Sequence, residues 1–562
     1  MTEYASLTVK AGPKVPLVPL TEEQNDAWQL SLAKAWLYRC VTTHSKCQSE
    51  KSTWVPTRVL ELGSSSDKFV RLIDTREKVV NKPYVTLSHC WGLVEFFKLT
   101  TKTLSLMLTG IETDTLSSTF QDAIRTAQFL GVEYLWIDAL CILQDSKEDW
   151  ELESALMGKV YRNGLCNLAA TGSKNGEGGL FTNHRKRYPP MTNPFSIISS
   201  WYNETNDCWD VRLSHLRKGH LLSGPLLDRG WVVQERIMSR RNIHFGSQQL
   251  YWECPQHDAC EIYTEGLPGD FYPLWGELLN FKHQIEPIDV NLDVIPGNSF
   301  QHWQANKMLN LWARTVCTFS ECQLTRSEDK LPALSGIAKA IQPFLANGDY
   351  FAGLWGEDII PNLLWFVEIP DSGFTGPPRR PQAYRAPSWS WASIEVGRVV
   401  MGSRSNADYG DERNPMPEVQ ILDIRVEALT SDPTGQVKSG SLQLFGPLMT
   451  VTVTTEPGYG NRWVIINNKR ELNLEIRPDV ASDWYGDIEL HIIPVQAHWY
   501  NKRYNCLLLQ PTGLKEGQFR RWGWMFLERG HYNIADWASV ENDGWFEFEE
   551  NDGHGRSRFT II

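Results

Sequence analysis

The strongest constraint in this chain is an alternation of apolar runs with helical patterns between residues 84 and 173. YVTLSHCWG (84–92) is apolar and then breaks at a polar, glycine-containing end. In the segment that follows, Phe120, Ile124, Ala127 and Leu130 recur at helical spacing, with Ser117 or Ser118 placed to cap and Gly131 to stop. VEYLWIDALCIL (132–143) has the length and β-branched content of a strand buried on both faces. DSKEDWELESALMGKVYRNG (145–164) reads as a second helix with Trp150, Glu153, Met157, Val160 and Tyr161 on one face, and LCNLAATGS (165–173) as a third strand. Strands alternating with helices in this order specify a parallel α/β sheet, because parallel neighbours need a crossover connection.

The rest of the chain divides around that core. Residues 1–50 form an N-terminal helical segment in which Trp28, Leu32, Trp36 and Cys40 recur at steps of four. The α/β domain spans 51–265, opens with a hairpin from TRVLEL and FVRLIDT, and carries a polar insertion at about 174–225. NIHFG and QLYWEC then alternate as strands or a hairpin. Residues 266–395 read as mainly helical, and 396–562 as an all-β domain, because LMTVTVTT, DIELHIIPV and YNCLLLQ alternate with period two.

Composition narrows the partners. A net charge of −12 provides no global attraction to nucleic acid, and no apolar run approaches the roughly 18 residues of a spanning helix. The first twenty residues lack an apolar signal region, so the expected location is cytoplasmic. Eleven cysteines, an odd number, fit reduced thiols. Two spacings invite a zinc test, Cys40 with His44 and Cys47, and Cys254 with His257 and Cys260. Neither has paired CxxC knuckles, so no metal is expected. The 24 tryptophans are read chiefly as aromatic core, with a minority free to stack on a planar ligand.

No Walker loop, GxGxxG, HExxH or GxSxG signature occurs. Candidate chemistry therefore lies at the carboxyl ends of the parallel strands, where open α/β sheets bind ligands. Ser88, His89 and Trp91 end the first strand; Asp138, Gln144 and Asp145 follow the second. Ser88 and Asp138 can equally close turns, and Cys90 as a nucleophile needs a base from elsewhere. In RGWVVQER (229–236), helical spacing puts Trp231 and Glu235 on one face. A carboxylate at that border either pairs with Arg229, Arg236 or Arg240, or faces a cleft. Glu153 is its rival on the earlier helix.

At these residues the chain resembles the fungal heterokaryon-incompatibility (HET) domain family. YVTLSHCWG, TFQDAIRTAQFLGVEYLWIDALCILQDSKEDWELESALMGKVYRNG and RGWVVQERIMSRRNIHFG stand in that family's order, over about 83–254. LPALSGIAKAI, YFAGLW and YRAPSWSWAS resemble the tail of long HET proteins, and Leu143 departs from the residue the family often has there. HET domains are similar in turn to Toll/interleukin-receptor (TIR) domains, which implies a flavodoxin-like parallel sheet. A TIR enzyme's catalytic glutamate follows a tryptophan by four residues on the helix after the third core strand, which lands on Glu235 here and leaves Glu153 as the alternative. The resemblance implies a protein of fungal non-self recognition and cell death that hydrolyses NAD as substrate, without a cofactor. Ser88, His89, Trp91, Asp138, Gln144 and Trp231 would line the pocket, and a homo-oligomer or an incompatibility partner protein would assemble it. The alternatives are a non-enzymatic signalling module, or the same scaffold adapted to another small-molecule reaction.

Overall fold

The computed structural model describes residues 22–48, 53–63, 68–181, 224–267 except 248 and 262, 297–368, 377–402, 419–455, 476–480, 487–498, 503–528 and 556–562. It also describes the backbone of short strands at 7–8, 195–199, 207–211, 416–417, 463–467 and 470–474. The chain divides into two compact units, Met1–Pro287 and Ile288–Ile562. Most of the 174–225 insertion lies outside the described residues.

The first helix of the first unit is α1 (Glu22–Thr43). Its buried stripe is Gln29, Leu30, Ala33, Trp36, Leu37 and Cys40, a mixed three-and-four spacing, while Trp28 is 40% exposed. The even four-residue stripe expected from sequence is thereby corrected: at 3.6 residues per turn each step of four drifts by about 40°, so Trp28 rotates off the face that Trp36 buries. Trp36 packs on Trp252 with ring centroids 6.4 Å apart and donates from Nε1 to the Thr264 carbonyl at 2.8 Å. Burying Leu30, Trp36 and Leu37 contributes about 1.5–3 kcal/mol each, which anchors a helix of mixed polarity.

The sheet comprises β1 (Arg58–Leu62), β2 (Phe69–Asp74), β3 (Tyr84–Ser88), β4 (Ile111–Glu112), β5 (Tyr134–Ile137), β6 (Asn167–Ala169), β7 (Asn242–Phe245), β8 (Leu250–Glu253) and β9 (Asp258–Cys260). Their spatial order is β9-β8-β7-β6-β3-β5-β1-β2-β4. The four central strands β7, β6, β3 and β5 are parallel, and the flanking hairpins β1–β2 and β7–β8 are antiparallel. β3, β5, β6 and β7 are buried throughout, as strands covered on both faces must be.

Helix α2 (Ser118–Leu130) connects β3 to β5, preceded by Ser117 and stopped by Gly131 in the left-handed conformation at φ 82°. Helix α3 (Lys147–Asn163) connects β5 to β6, and the Ser146 hydroxyl accepts from the Asp149 N–H at its start. Helix α4 (Gly230–Met238) precedes β7 and packs against α3. The 132–143 run is not one strand. It breaks after Ile137 into a helical turn, Asp138–Cys141, because the Asp138 carboxylate accepts from the Ala139 N–H at 2.7 Å and turns the chain there.

In the second unit, helices Gly297–Ser320 and Pro332–Ile341 precede a large, mainly antiparallel sheet from Gln420 to Ile561. Beside those two helices, the described residues of 266–395 contribute the hairpin Tyr350–Phe351 with Leu354–Trp355 and strand Phe366–Glu368. Trp312 and Trp391 both donate from Nε1 to the Gly353 carbonyl at 2.9 Å. Gly353 sits at φ 98°, and a Cβ there would meet Trp391 Nε1 at 2.5 Å, so only glycine fits. Trp355, Trp365, Trp389 and Trp522 are also buried, which agrees with the aromatic-core reading. Among the described residues no helix is long and apolar enough to cross a membrane.

Candidate functional site

The order of the four parallel strands, numbered along the chain, is 2-1-3-4, and it reverses between β3 and β6. Helices on either side of such a reversal diverge, which opens a crevice at the strands' carboxyl ends. Ser88 ends β3 there, in register with Ala169 at the end of β6. Glu235 comes to the same place from α4.

Glu235 is 4% exposed. Burial pushes its carboxyl up to about 7, opposed by the charge of Arg229 and by hydrogen bonds from Ser88 and Tyr161, and reinforced by the charge of Asp138. Of the arginines that sequence offered as ion-pair partners, Arg229 acts on Glu235 through its charge. Arg236 forms a two-point pair with buried Glu253 at 3.0 and 2.9 Å, Arg240 donates to the Cys47 carbonyl at 3.3 Å, and Arg229 donates to the His89 carbonyl. The Arg229 charge, and after it the Ser88 and Tyr161 hydroxyls, favour the ionised Glu235 carboxyl.

A buried amide network orders those hydroxyls. Asn167 Nδ2 donates to Ser88 Oγ at 3.0 Å and to Asn242 Oδ1 at 3.1 Å, while its Oδ1 accepts from Thr86 at 2.9 Å. Asn242 in turn donates to Glu253 at 2.9 Å. The Ser88 hydroxyl accepts from Asn167 Nδ2 and lies within donating distance of Asn167 Oδ1 at 3.2 Å, so Asn167 Oδ1 and the Glu235 carboxylate compete for its one proton. Each link is within normal hydrogen-bond distance and shielded from water, so the array is rigid and specific to one arrangement.

The neighbouring residues form a second cluster. Trp91 is half-buried and donates from Nε1 to Asp138 Oδ2 at 3.0 Å. His89 lies nearly parallel to it, 16° between planes with centroids 6.5 Å apart, and Phe96 and Phe120 meet its edges. Burial pushes the His89 imidazole down to about 4, outweighing the Asp138 carboxylate 3.6 Å from Nδ1, so the ring is neutral at pH 7. Its Nε2 is buried and has no hydrogen-bond partner among the described residues. Lys98 Nζ lies 5.2 Å from the Trp91 ring centre, within cation–π range.

The sequence-derived candidates therefore separate. Glu235 and Ser88 come together; His89, Trp91 and Asp138 come together beside them, with the Asp138 charge felt at both Glu235 and His89. Gln144 is spent on backbone, donating to the Asp138 and Ile142 carbonyls at 3.0 Å each, which fixes the turn that presents Asp138. Asp145 caps Thr101 at 2.9 Å from its N–H. Trp231 is half-buried on the helix that carries Glu235. Glu153 lies elsewhere, 3.5 Å from Arg58, whose guanidinium also meets both oxygens of Asp149 at 2.6 Å. Cys90 packs with Ala169, Leu226 and Val232, and burial pushes its thiol up to about 11, so it supplies no thiolate near neutral pH.

Tyr161, Asn167 and Asn242 are absent from the sequence-derived candidates. The signal for Asn167 was there: an amide inside the apolar run LCNLAATGS is a buried polar group needing partners. Tyr161 shared the core face of α3, and its hydroxyl was the cue.

No curated protein and no solved structure matches the chain. The span that does match a known family starts at Tyr84, the first residue of β3, and stops at Glu235. Residues 84–235 match the family model described as Heterokaryon incompatibility protein (HET), so this part of the chain is a HET domain.

Proposed function

We propose that this HET domain is a TIR-like NAD hydrolase with Glu235 as its catalytic carboxylate. A HET domain implies a role connected with heterokaryon incompatibility and cell death. The enzymatic reading rests on one observation: a buried glutamate, pushed up to about 7 and held by Ser88 and Tyr161, sits at the strand-order reversal where α/β sheets take ligands. The 2-1-3-4 order of the parallel strands, which is that of flavodoxin-like folds, supports the same reading.

The reaction breaks the bond between the nicotinamide nitrogen and the ribose anomeric carbon. The bonding pair goes to the ring nitrogen, which leaves as neutral nicotinamide, and the sugar passes through an oxocarbenium-like transition state. Water adds to the anomeric carbon and loses a proton, giving ADP-ribose. Ionised Glu235 accepts from the ribose hydroxyls and stabilises the developing positive charge, in a setting where low polarity makes that charge count for more. Ser88 and Tyr161 orient the carboxylate. Trp91, fixed by Asp138, offers a flat ring for the nicotinamide, and His89 Nε2, which has no partner among the described residues, offers a polar contact beside it. As in TIR domains, the site is completed by assembly with a second copy or an incompatibility partner.

The test compares nicotinamide release by the full chain with Glu235→Gln and Glu153→Gln. The proposal requires Glu235→Gln alone to abolish release. Loss in Glu153→Gln with Glu235→Gln unaffected moves the site to the Arg58 cluster and ends the assignment.

A further inference from the structure

A different cluster in the same unit carries chemistry that the HET site does not use. Cys40 and His44 occupy the last turn of α1 and the residue beyond it, four apart and so on one face. A short 3-10 turn, Ser45–Cys47, brings Cys47 back beside them. Cys254, 210 residues from His44 in sequence, enters from the end of β8. All four are buried, and one ligand atom from each lies within 4.8 Å of every other.

The geometry points to a structural zinc ion held by Cys40, His44, Cys47 and Cys254. Zn–S bonds of about 2.3 Å and Zn–N bonds of about 2.05 Å, arranged tetrahedrally, place neighbouring ligand atoms about 3.5–3.8 Å apart. His44 Nδ1 lies 3.8 Å from Cys47 Sγ and 3.5 Å from Cys254 Sγ. The cysteines are free, not bridged. Three sulfurs and one imidazole in a tetrahedral set select zinc over the harder cations, which prefer oxygen. On binding, three thiols give up their protons to solvent and the imidazole binds as the neutral ring.

Charge supports the assignment. Arg241 is buried, and its guanidinium donates to Cys40 Sγ at 3.1 Å, to the Cys47 carbonyl at 2.8 Å and to the Leu165 carbonyl at 3.1 Å. A buried guanidinium needs an anion close by. Three thiolates and one divalent zinc leave a net charge of −1, which Arg241 neutralises. Arg241 is thus a positioning residue that orients Cys40 from outside the ligand set. The sequence hid this set because its spacings suggested two local triads. The fold instead takes Cys40, His44 and Cys47 from one and only Cys254 from the other, so the metal ties α1 to the end of β8.

The experiment is metal analysis of the full chain, produced with zinc in the medium and purified under reducing conditions. The expected result is one zinc per chain, lost in Cys254→Ser and in Cys40→Ser and kept in Cys260→Ser. Cobalt added to the chelator-treated chain gives the intense visible bands of tetrahedral thiolate coordination, a readout independent of how well any variant folds. Folded wild-type protein with far less than one zinc and no such bands overturns the site. So does a mass showing a disulfide among Cys40, Cys47 and Cys254, and loss of metal in Cys260→Ser with retention in Cys40→Ser assigns it to the other triad instead.

Discussion

Replacing Glu235 by glutamine should flatten one component of the chain's stability against pH. The carboxyl titrates near 4.5 when unfolded and is pushed up to about 7 when folded. Below 4.5 it is protonated in both states and contributes no penalty. Between 4.5 and 7 the folded state holds a proton that the unfolded state has released, so stability falls as pH rises, and the fall is complete above 7. A difference of about 2.5 units at 1.36 kcal/mol each makes that loss roughly 3 kcal/mol. His89 runs the other way: pushed down to about 4, it destabilises the fold as pH falls through its unfolded value of 6.5 toward 4. The quantity to read is therefore the difference between wild type and Glu235→Gln, in which the His89 contribution cancels. Native-state hydrogen exchange at the amides of β3 and β6 reports it for this unit alone. The variant should gain about 2–3 kcal/mol over wild type between pH 5 and pH 8 relative to any constant offset. Parallel curves across that interval would show that the carboxyl is not desolvated, and the reasoning about the site would fail.

Four further outcomes follow from the same geometry. Ser88→Ala removes a donor to Glu235 and leaves Asn167 Nδ2 short of a partner, so it should cost about 1–3 kcal/mol in urea denaturation and move the Glu235 titration above 7. Arg236→Met strands the Glu253 carboxylate in the interior and should cost about 3–5 kcal/mol by the same measurement. Gly353→Ala drives a methyl into Trp391 at φ 98° and should destabilise the second unit by about 2 kcal/mol or more in thermal melts, leaving exchange in β3 unchanged. Chelation of zinc should lower the melting temperature of the first unit, with exchange rising first in α1.

The parallel core was legible because its signals were local. YVTLSHCWG, LCNLAATGS and the helix between Ser117 and Gly131 each carry their own period and stops, and each formed as read. The 132–143 run was misjudged in extent because hydropathy does not register a side chain capping its own turn, as Asp138 does. Glu235 was legible as an ambiguous carboxylate, and what decided its surroundings lay far away: Ser88, Tyr161 and the Glu253 that occupies Arg236. The thiol cluster was the least legible feature. Its fourth member arrives through strand order, which no spacing rule encodes.

The central claim is that Glu235 sits in a catalytic site, and nicotinamide release from NAD by the assembled chain tests it most directly. Wild type should release nicotinamide at a rate that rises with pH through about 7, as the ionised carboxylate accumulates. Glu235→Gln should lose at least ~100-fold across that range while retaining its fold and assembly. Equal rates in the two proteins, or no release by the wild-type assembly at any pH, would contradict the account.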